Sequence, residues 1–335
     1  MTERSWYLFD VNAETPPALT IDPGEEVTLE VRGAFADVKD ISEVPVPFTP
    51  ACDGHPLAPI AGPIRVRGAE PGDAVVVELL EITPHGEGVN AILRKFGVLM
   101  DDFPEPHAVA VPVRDGRAWF EGRIPIPLAP NLGTVSTMPP EGYKPAYAGP
   151  YGGDFDQKDA RAGSRIHLRV MVPGALVFFA DPHAAVSDGI IAGTGVECDA
   201  SVRARILLDK GRHVERPIIE VDDTVQVMGF GETVERATED CSRAAVDYVA
   251  AATPLSRRAT CSVHDGVFFE DRGLPTATVI STEFARAARA QGEGLGATGY
   301  RTVAVAHPIQ PLTRDEVRAL ADEAFDEILA RLTRA

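Results

Sequence analysis

The stretch from Tyr151 to Asp199 constrains the fold more than any other part of the chain. It opens Tyr151-Gly152-Gly153-Asp154-Phe155-Asp156 and continues through a strand-like run, Arg165 to Val172. A turn at Pro173-Gly174 leads into a second apolar run, Ala175 to Ala180, followed directly by Asp181-Pro182-His183. Asp188-Gly189, Gly193-Thr194-Gly195 and Glu197 close the stretch. Carboxylates and an imidazole at the ends of apolar β-type runs are the donor set of a divalent-metal site that activates water. The interleaved glycines let the backbone come close to a ligand. Asp181 and His183 stand two apart, so on a strand both side chains point to one face and can reach one ion. Asp156 is the third expected ligand.

The motifs Gly152-Gly153-Asp154-Phe155-Asp156, Pro173-Gly174-Ala175-Leu176, Asp181-Pro182-His183-Ala184-Ala185…Asp188-Gly189 and Gly193-Thr194-Gly195-Val196-Glu197 resemble the acetamidase/formamidase family. His55-Pro56-Leu57, Ala61-Gly62-Pro63-Ile64 and Gly68-Ala69-Glu70-Pro71-Gly72-Asp73 fit the same family in the same order, and the match spans about residues 5 to 250. The resemblance implies an α+β fold with a β-rich core and hydrolysis of small amides at a divalent-metal centre. It raises His55, otherwise a solvated loop histidine, to a candidate substrate-binding residue. Three positions depart from the family pattern. Ile190 stands where the family carries Glu, Val186-Ser187 where it carries Gln-Gly, and Asp154 where it carries Asn. Asp154 could take over the charge lost at Ile190.

A second resemblance, to the UGSC family, runs from about Cys261 to Leu332. It is carried by Cys261-Ser-Val-His264-Asp265, Glu270-Asp-Arg-Gly273-Leu-Pro-Thr276, Thr282-Glu283-Phe284 and Val305-Ala-His307-Pro308. It keeps a site role open for His264, although Asp265 beside it reads equally as a helix cap. The expected organisation is therefore an acetamidase/formamidase-like domain over 1–253 and a small α/β UGSC-like domain over 254–335.

Bulk properties narrow the partners. The chain has 335 residues, which suggests about two domains, and a formal charge of −18. That charge would repel phosphate and argues against nucleic acid or an anionic membrane. No apolar run approaches the ~18 residues that cross a bilayer. Met1 to Leu19 lacks a basic segment followed by an apolar core, and Cys52, Cys198, Cys241 and Cys261 form no Cys-x-x-Cys pair. A cytoplasmic homo-oligomeric enzyme acting on a small molecule is expected.

Along the chain, Val27-Leu29-Val31 alternates with polar residues, and residues 33 to 63 read as an extended loop. Pro63 to Arg67, Ala74 to Ile82, Ala108–Pro112, Arg117–Phe120 and Ile124–Pro127 read as strands. Residues 128 to 151 read as a long Pro- and Gly-rich loop in which Tyr143, Tyr147 and Tyr151 are candidates to line a pocket or to pin the loop. Ala200–Leu208 and Arg216–Val221 alternate as strands, and a helix spans about Thr233 to Ala251. Beyond Thr253 the pattern alternates: helix Val263–Asp271, strand Pro275–Ile280, helix Ser281–Gln291, a glycine-rich loop over 292–299 and strand Arg301–Ala306. A terminal helix then opens on the capping box Thr313-Arg-Asp-Glu316.

Three roles are assigned to nine residues. Asp156, Asp181 and His183 would hold the ion, with zinc favoured for mixed carboxylate and imidazole donors and manganese or calcium as alternatives. Glu197 or Asp188 would move the proton; Asp154, Tyr151, His55 and His264 would bind substrate. Hydrolysis of a small amide is the leading function, against a metal-dependent lyase or isomerase on the same scaffold, or a non-catalytic binding protein.

Overall fold

The computed structural model describes residues 7–8, 11–47, 49–52, 55, 57–141, 147–252, 266–271, 273–309 and 311–333. The chain forms two compact units, one running to Phe230 and the other starting at Gly231. Cys261, His264, Asp265 and Tyr143 lie outside the described residues.

In the first unit, fifteen strands among the described residues hydrogen-bond into one continuous sheet. Its spine is a pair of long antiparallel strands, Ala74–Ile92 and Val196–Asp209. They pair from Glu197 opposite Val89 down to Asp209 opposite Ala74. Period-two alternation fixes which residues face inward. Val75, Val77 and Leu79 on one strand and Val202, Ala204 and Ile206 on the other are buried in the main core, with Ile64, Ile166, Leu168, Val177 and Phe179. Several intervening residues, Glu78, Arg203 and Arg205 among them, pair as charged partners on the other face. Arg205 reaches Glu78 at 3.0 Å and also bonds Glu26, while Arg203 lies 3.3 Å from Glu26 and 3.4 Å from Glu81. Such exposed cross-strand pairs contribute only about 0.2–1 kcal/mol each. The apolar face therefore dominates, at about 1.5–3 kcal/mol for each fully buried large aliphatic side chain.

Two expectations are corrected where the strands approach the charged cluster. The strand expected to stop at Ala180 continues as Val177–Ala185, buried throughout, so Asp181 and His183 lie inside it. A β-branched and aromatic run that keeps its neighbours on both sides has no reason to end at a lone Asp. The segment 128–151 was expected to be loop, yet Asn131–Ser136 is a fully buried strand within it. Pro130, Gly133 and Pro139-Pro140 punctuate that segment and disguise it. Its small polar residues suit a position between two neighbours: Val177–Ala185 on one side and the short Gly152–Asp154 strand on the other.

The second unit carries the helix Val234–Ala252, a two-stranded parallel sheet of Val279–Ser281 and Val303–Val305, and the helices Ala285–Gly294 and Arg314–Leu332. The expected helix at Ser281 begins four residues later, at Ala285, after a 3-10 turn at Thr282–Phe284, and absorbs the start of the glycine-rich segment. The capping box forms as the sequence indicates, with Thr313 and Glu316 bonding each other's backbone. No helix among the described residues is long and apolar enough to cross a membrane.

Candidate metal centre

Four neighbouring strands carry the cluster. Gly152–Asp154 pairs with Asn131–Ser136, which pairs with Val177–Ala185, which pairs in turn with Val196–Asp209. His183 stands opposite Asn131 on one side and Glu197 on the other. Residues directly opposite in antiparallel strands share a face. Asn131, His183 and Glu197 therefore point the same way, and Asp181, two positions from His183, joins them.

The side chains converge as this register requires. His183 Nε2 lies 3.1 Å from Glu197 Oε2, 3.5 Å from Asp181 Oδ2 and 3.7 Å from Asp156 Oδ1. One ligand atom from each of Asp156, Asp181 and His183 falls within 4.8 Å of the others. These are the three residues the sequence assigned to an ion. His183 is fully buried, with Asp181 at 6% and Glu197 at 4% exposure.

Asp156 and Asp181 both adopt left-handed backbone conformations, at φ 45° and 56°. Asp tolerates this region better than most residues, but strain of this kind collects at functional sites. The Asp156 turn is fixed by Gly133, whose carbonyl accepts from the amides of both Phe155 and Asp156 at 3.0 and 3.1 Å. Gly133 also leaves the space the cluster occupies. A Cβ there would stand 2.4 Å from Asp156 Oδ1, 2.7 Å from Asp181 Oδ2 and 2.9 Å from His183 Cε1.

The polar atoms fit a cation. Oδ1 of Asp154, Asp156 and Asp181, Oε2 of Glu197 and both ring nitrogens of His183 are buried without a hydrogen-bond partner. The close approaches around His183 are ion-pair distances of 3.1–3.7 Å. Buried acceptors left this way cost several kcal/mol unless a positive charge collects them. Titration points in the same direction. Burial, then the Asp181 carboxylate, pushes Asp156 up to about 6. Burial, then Glu197, does the same to Asp181, also to about 6. Burial raises Asp154 well above the ordinary carboxylate range, with Asp156 and Asp181 adding to it. At His183 burial works against the charged form, but Glu197 and Asp181 outweigh it and hold the imidazole well above its usual value.

A cavity of about 80 Å³ opens over the cluster. Asp154, Asp156, Asp181 and Glu197 contribute to its lining, and Ala34, Phe35, Leu57, Leu93 and Phe96 supply apolar walls. Most of these apolar residues come from the 33–63 segment, whose role as a wall the sequence pattern gave no means of seeing.

The remaining candidates are placed differently. Asp188 does not join the cluster: it sits in an Asp-Gly turn, 82% exposed, with Lys158 Nζ 2.8 Å away. Turn chemistry explains it fully. Tyr151 is buried but is not among the cavity-lining residues; its ring covers Gly149. Tyr147 is also absent from that lining. His55 is half-buried in the loop that supplies Leu57 and Ala58 to the cavity, and is not itself part of the lining. Ile190, where the family carries Glu, lies in the turn before Gly193 and also outside the lining, whereas Asp154 is within it.

The acetamidase/formamidase family matches residues 11–142 and again 133–254. The chain belongs to this family. Residues 256–334 match the UGSC family, so the two resemblances lie end to end. An acetamidase of Mycolicibacterium smegmatis is 26% identical over 270 residues, 59% of this chain. The matched part spans 64% of that curated relative's length. A crystal structure of an acetamidase from Bacillus halodurans superposes with a TM-score of 0.69 at 28% identity, covering 75% of this chain and 85% of the other. A predicted acetamidase/formamidase from Thermoanaerobacter tengcongensis gives 0.68 at 25% identity, covering 75% and 82%.

Two outcomes follow from this geometry. With Asp156 and Asp181 raised above their unfolded values, the metal-free protein gains stability from their protonation at low pH and loses it as pH rises through about 6. A cation binds the deprotonated forms, so it should raise the melting temperature by several degrees at pH 7.5 and by much less at pH 5. An equal rise at both values in scanning calorimetry would contradict the site. Gly133→Ala should retain the fold, because the ends of flexible side chains can yield, yet weaken ion affinity about 10-fold or more in a competition titration.

Proposed function

We propose that this protein is a metal-dependent hydrolase of the C–N bond in a small amide or amide-like compound, releasing ammonia or an amine. The observation that carries the reading is the convergence of Asp156, Asp181, His183 and Glu197 beneath a small, apolar-walled cavity, in a chain of the acetamidase/formamidase family. Asp156, Asp181 and His183 would hold the ion. Mixed carboxylate and imidazole donors favour zinc, with manganese or calcium as alternatives. A divalent ion there supplies Lewis acidity toward the amide carbonyl and toward water.

The chain's own residues do the rest. The walls formed by Phe35, Leu57, Leu93 and Phe96 make the cavity small and apolar, which suits an amide with a short side chain. Glu197 is the proton carrier. Its Oε1 accepts from the Gly195 amide at 2.7 Å, which fixes the carboxylate, while Oε2 faces the cluster without a hydrogen bond. A carboxylate so held can take a proton from attacking water and return it to the leaving nitrogen. Asp154, in the cavity wall and raised well above the ordinary range, is suited to donate a hydrogen bond to the substrate. The buried Cys198 next to Glu197 is not a rival nucleophile, because burial pushes its thiol up to about 12.

Metal-supplemented protein should release ammonia from formamide, acetamide or propionamide above the uncatalysed rate, and chelation should abolish the release. Glu197→Gln should lower kcat by about 100-fold or more while the ion stays bound. No turnover of any amide across a broad panel would overturn the hydrolase reading.

A further inference from the structure

The strand that pairs with the backbone of Glu197 also carries a side chain that grips the loop in front of it. Val89 stands opposite Glu197, and Asn90 is the next residue. Asn90 Nδ2 donates to the Gly195 carbonyl at 2.7 Å, and lies 3.2 Å from Thr194 Oγ1 and 3.3 Å from the Thr194 carbonyl. Thr194 Oγ1 donates to the Ala91 carbonyl at 2.8 Å and accepts from the Ala91 amide at 3.0 Å.

A hydroxyl has one proton to give and two lone pairs to fill. Thr194 has used all three, although it lines the cavity, so it cannot bind a substrate without breaking a bond it already makes. Its place in the wall is that of a strut. The Thr194–Gly195 peptide carries the load onward: its carbonyl, that of Thr194, accepts from Asn90, and its N–H, that of Gly195, donates to Glu197 Oε1, while Asn90 also holds the carbonyl of the following peptide. The residue at 195 has no freedom to be larger, since a Cβ would meet His183 Cδ2 at 2.9 Å.

We propose that Asn90 is a positioning residue, acting through Thr194 and Gly195 to hold the Glu197 carboxylate with one oxygen fixed and the other turned to the cluster. This rests on the hydrolase reading for its kinetic consequence but not for its structural one. Hydrogen bonds to an ionised carboxylate are short and strong, and the one from Gly195 is aimed only while its peptide plane is fixed. Releasing the far side of that plane lets the amide turn away, and Glu197 then samples rotamers in which Oε2 no longer faces the cluster. A displacement of about 1 Å at such a group costs up to about 100-fold in rate.

The test uses the full chain and two readouts. In Asn90→Ala, hydrogen exchange at the Gly195 amide, followed by mass spectrometry of the peptide that contains it, should speed up by about 10-fold or more. The kcat on a small amide should fall by about 10–100-fold with KM changed by no more than about twofold. Thr194→Val, which keeps the shape and loses the hydroxyl, should reproduce both effects, and Thr194→Ser should recover most of the loss. Thr194→Val also serves if Asn90→Ala does not fold. Unchanged exchange at Gly195 in these variants, faster exchange with unchanged kcat, or a rise in KM at constant kcat would each overturn the proposal. If the unaltered chain hydrolyses no amide, the exchange measurement alone decides whether the latch exists, and the failure belongs to the hydrolase reading.

Discussion

Several buried carboxylates face one imidazole, and among the described residues no Lys or Arg pairs with them. Asp154, Asp156, Asp181 and Glu197 each present a buried oxygen without a hydrogen-bond partner, and His183 stands among them fully enclosed. Left alone, such a group is forced to take up protons, and the upward displacement of Asp156 and Asp181 to about 6 expresses that force. A divalent cation removes the conflict in one step. Gly133 without a side chain, two aspartates in left-handed conformations and a four-strand register that turns the donors to one face become intelligible as the construction of a cation cradle.

The large core is what lets this arrangement persist. Strain and unpaired charge at the site must be offset by well-packed structure elsewhere. The Ala74–Ile92 and Val196–Asp209 pair supplies it, with buried aliphatic residues on one face and charge pairs among the residues of the other. Glu197 lies at the end of that spine, so the long strand pair carries the carboxylate proposed to move the proton. The departures from the family pattern are consistent with this frame. Ile190 lies in a turn outside the cavity lining, and Asp154 adds a carboxylate inside it, so the acidic character of the site does not depend on position 190.

How much of this was legible in the sequence follows from which signals are local. Asp181 and His183 were readable because a two-residue spacing on a strand fixes their common face whatever the rest of the fold does. Asp156 and Glu197 were readable from motifs, since neither lies near the others in a regular pattern. The Asn131–Ser136 strand was not. Its small and polar residues and its glycine are the opposite of a strand signal, and they are there because the strand is sandwiched beneath the cluster. The same logic hid Gly133, whose contribution is an absence of atoms. Asp188 was misassigned because an Asp-Gly turn and a site aspartate look alike in sequence; only exposure and the Lys158 partner separate them. Most of the apolar wall comes from the 33–63 segment, where no periodicity exists to indicate which side chains turn inward.

The central claim is that Asp156, Asp181 and His183 hold one divalent ion. Elemental analysis of the purified protein, after supplementation with zinc, manganese or calcium and removal of loosely bound metal, tests it most directly. The account predicts about one tightly bound ion per chain in the unaltered protein, and nearly none in His183→Ala, with the circular dichroism of the two proteins superimposable. Full occupancy in His183→Ala, or no retained ion in the unaltered protein under any supplementation, would contradict it.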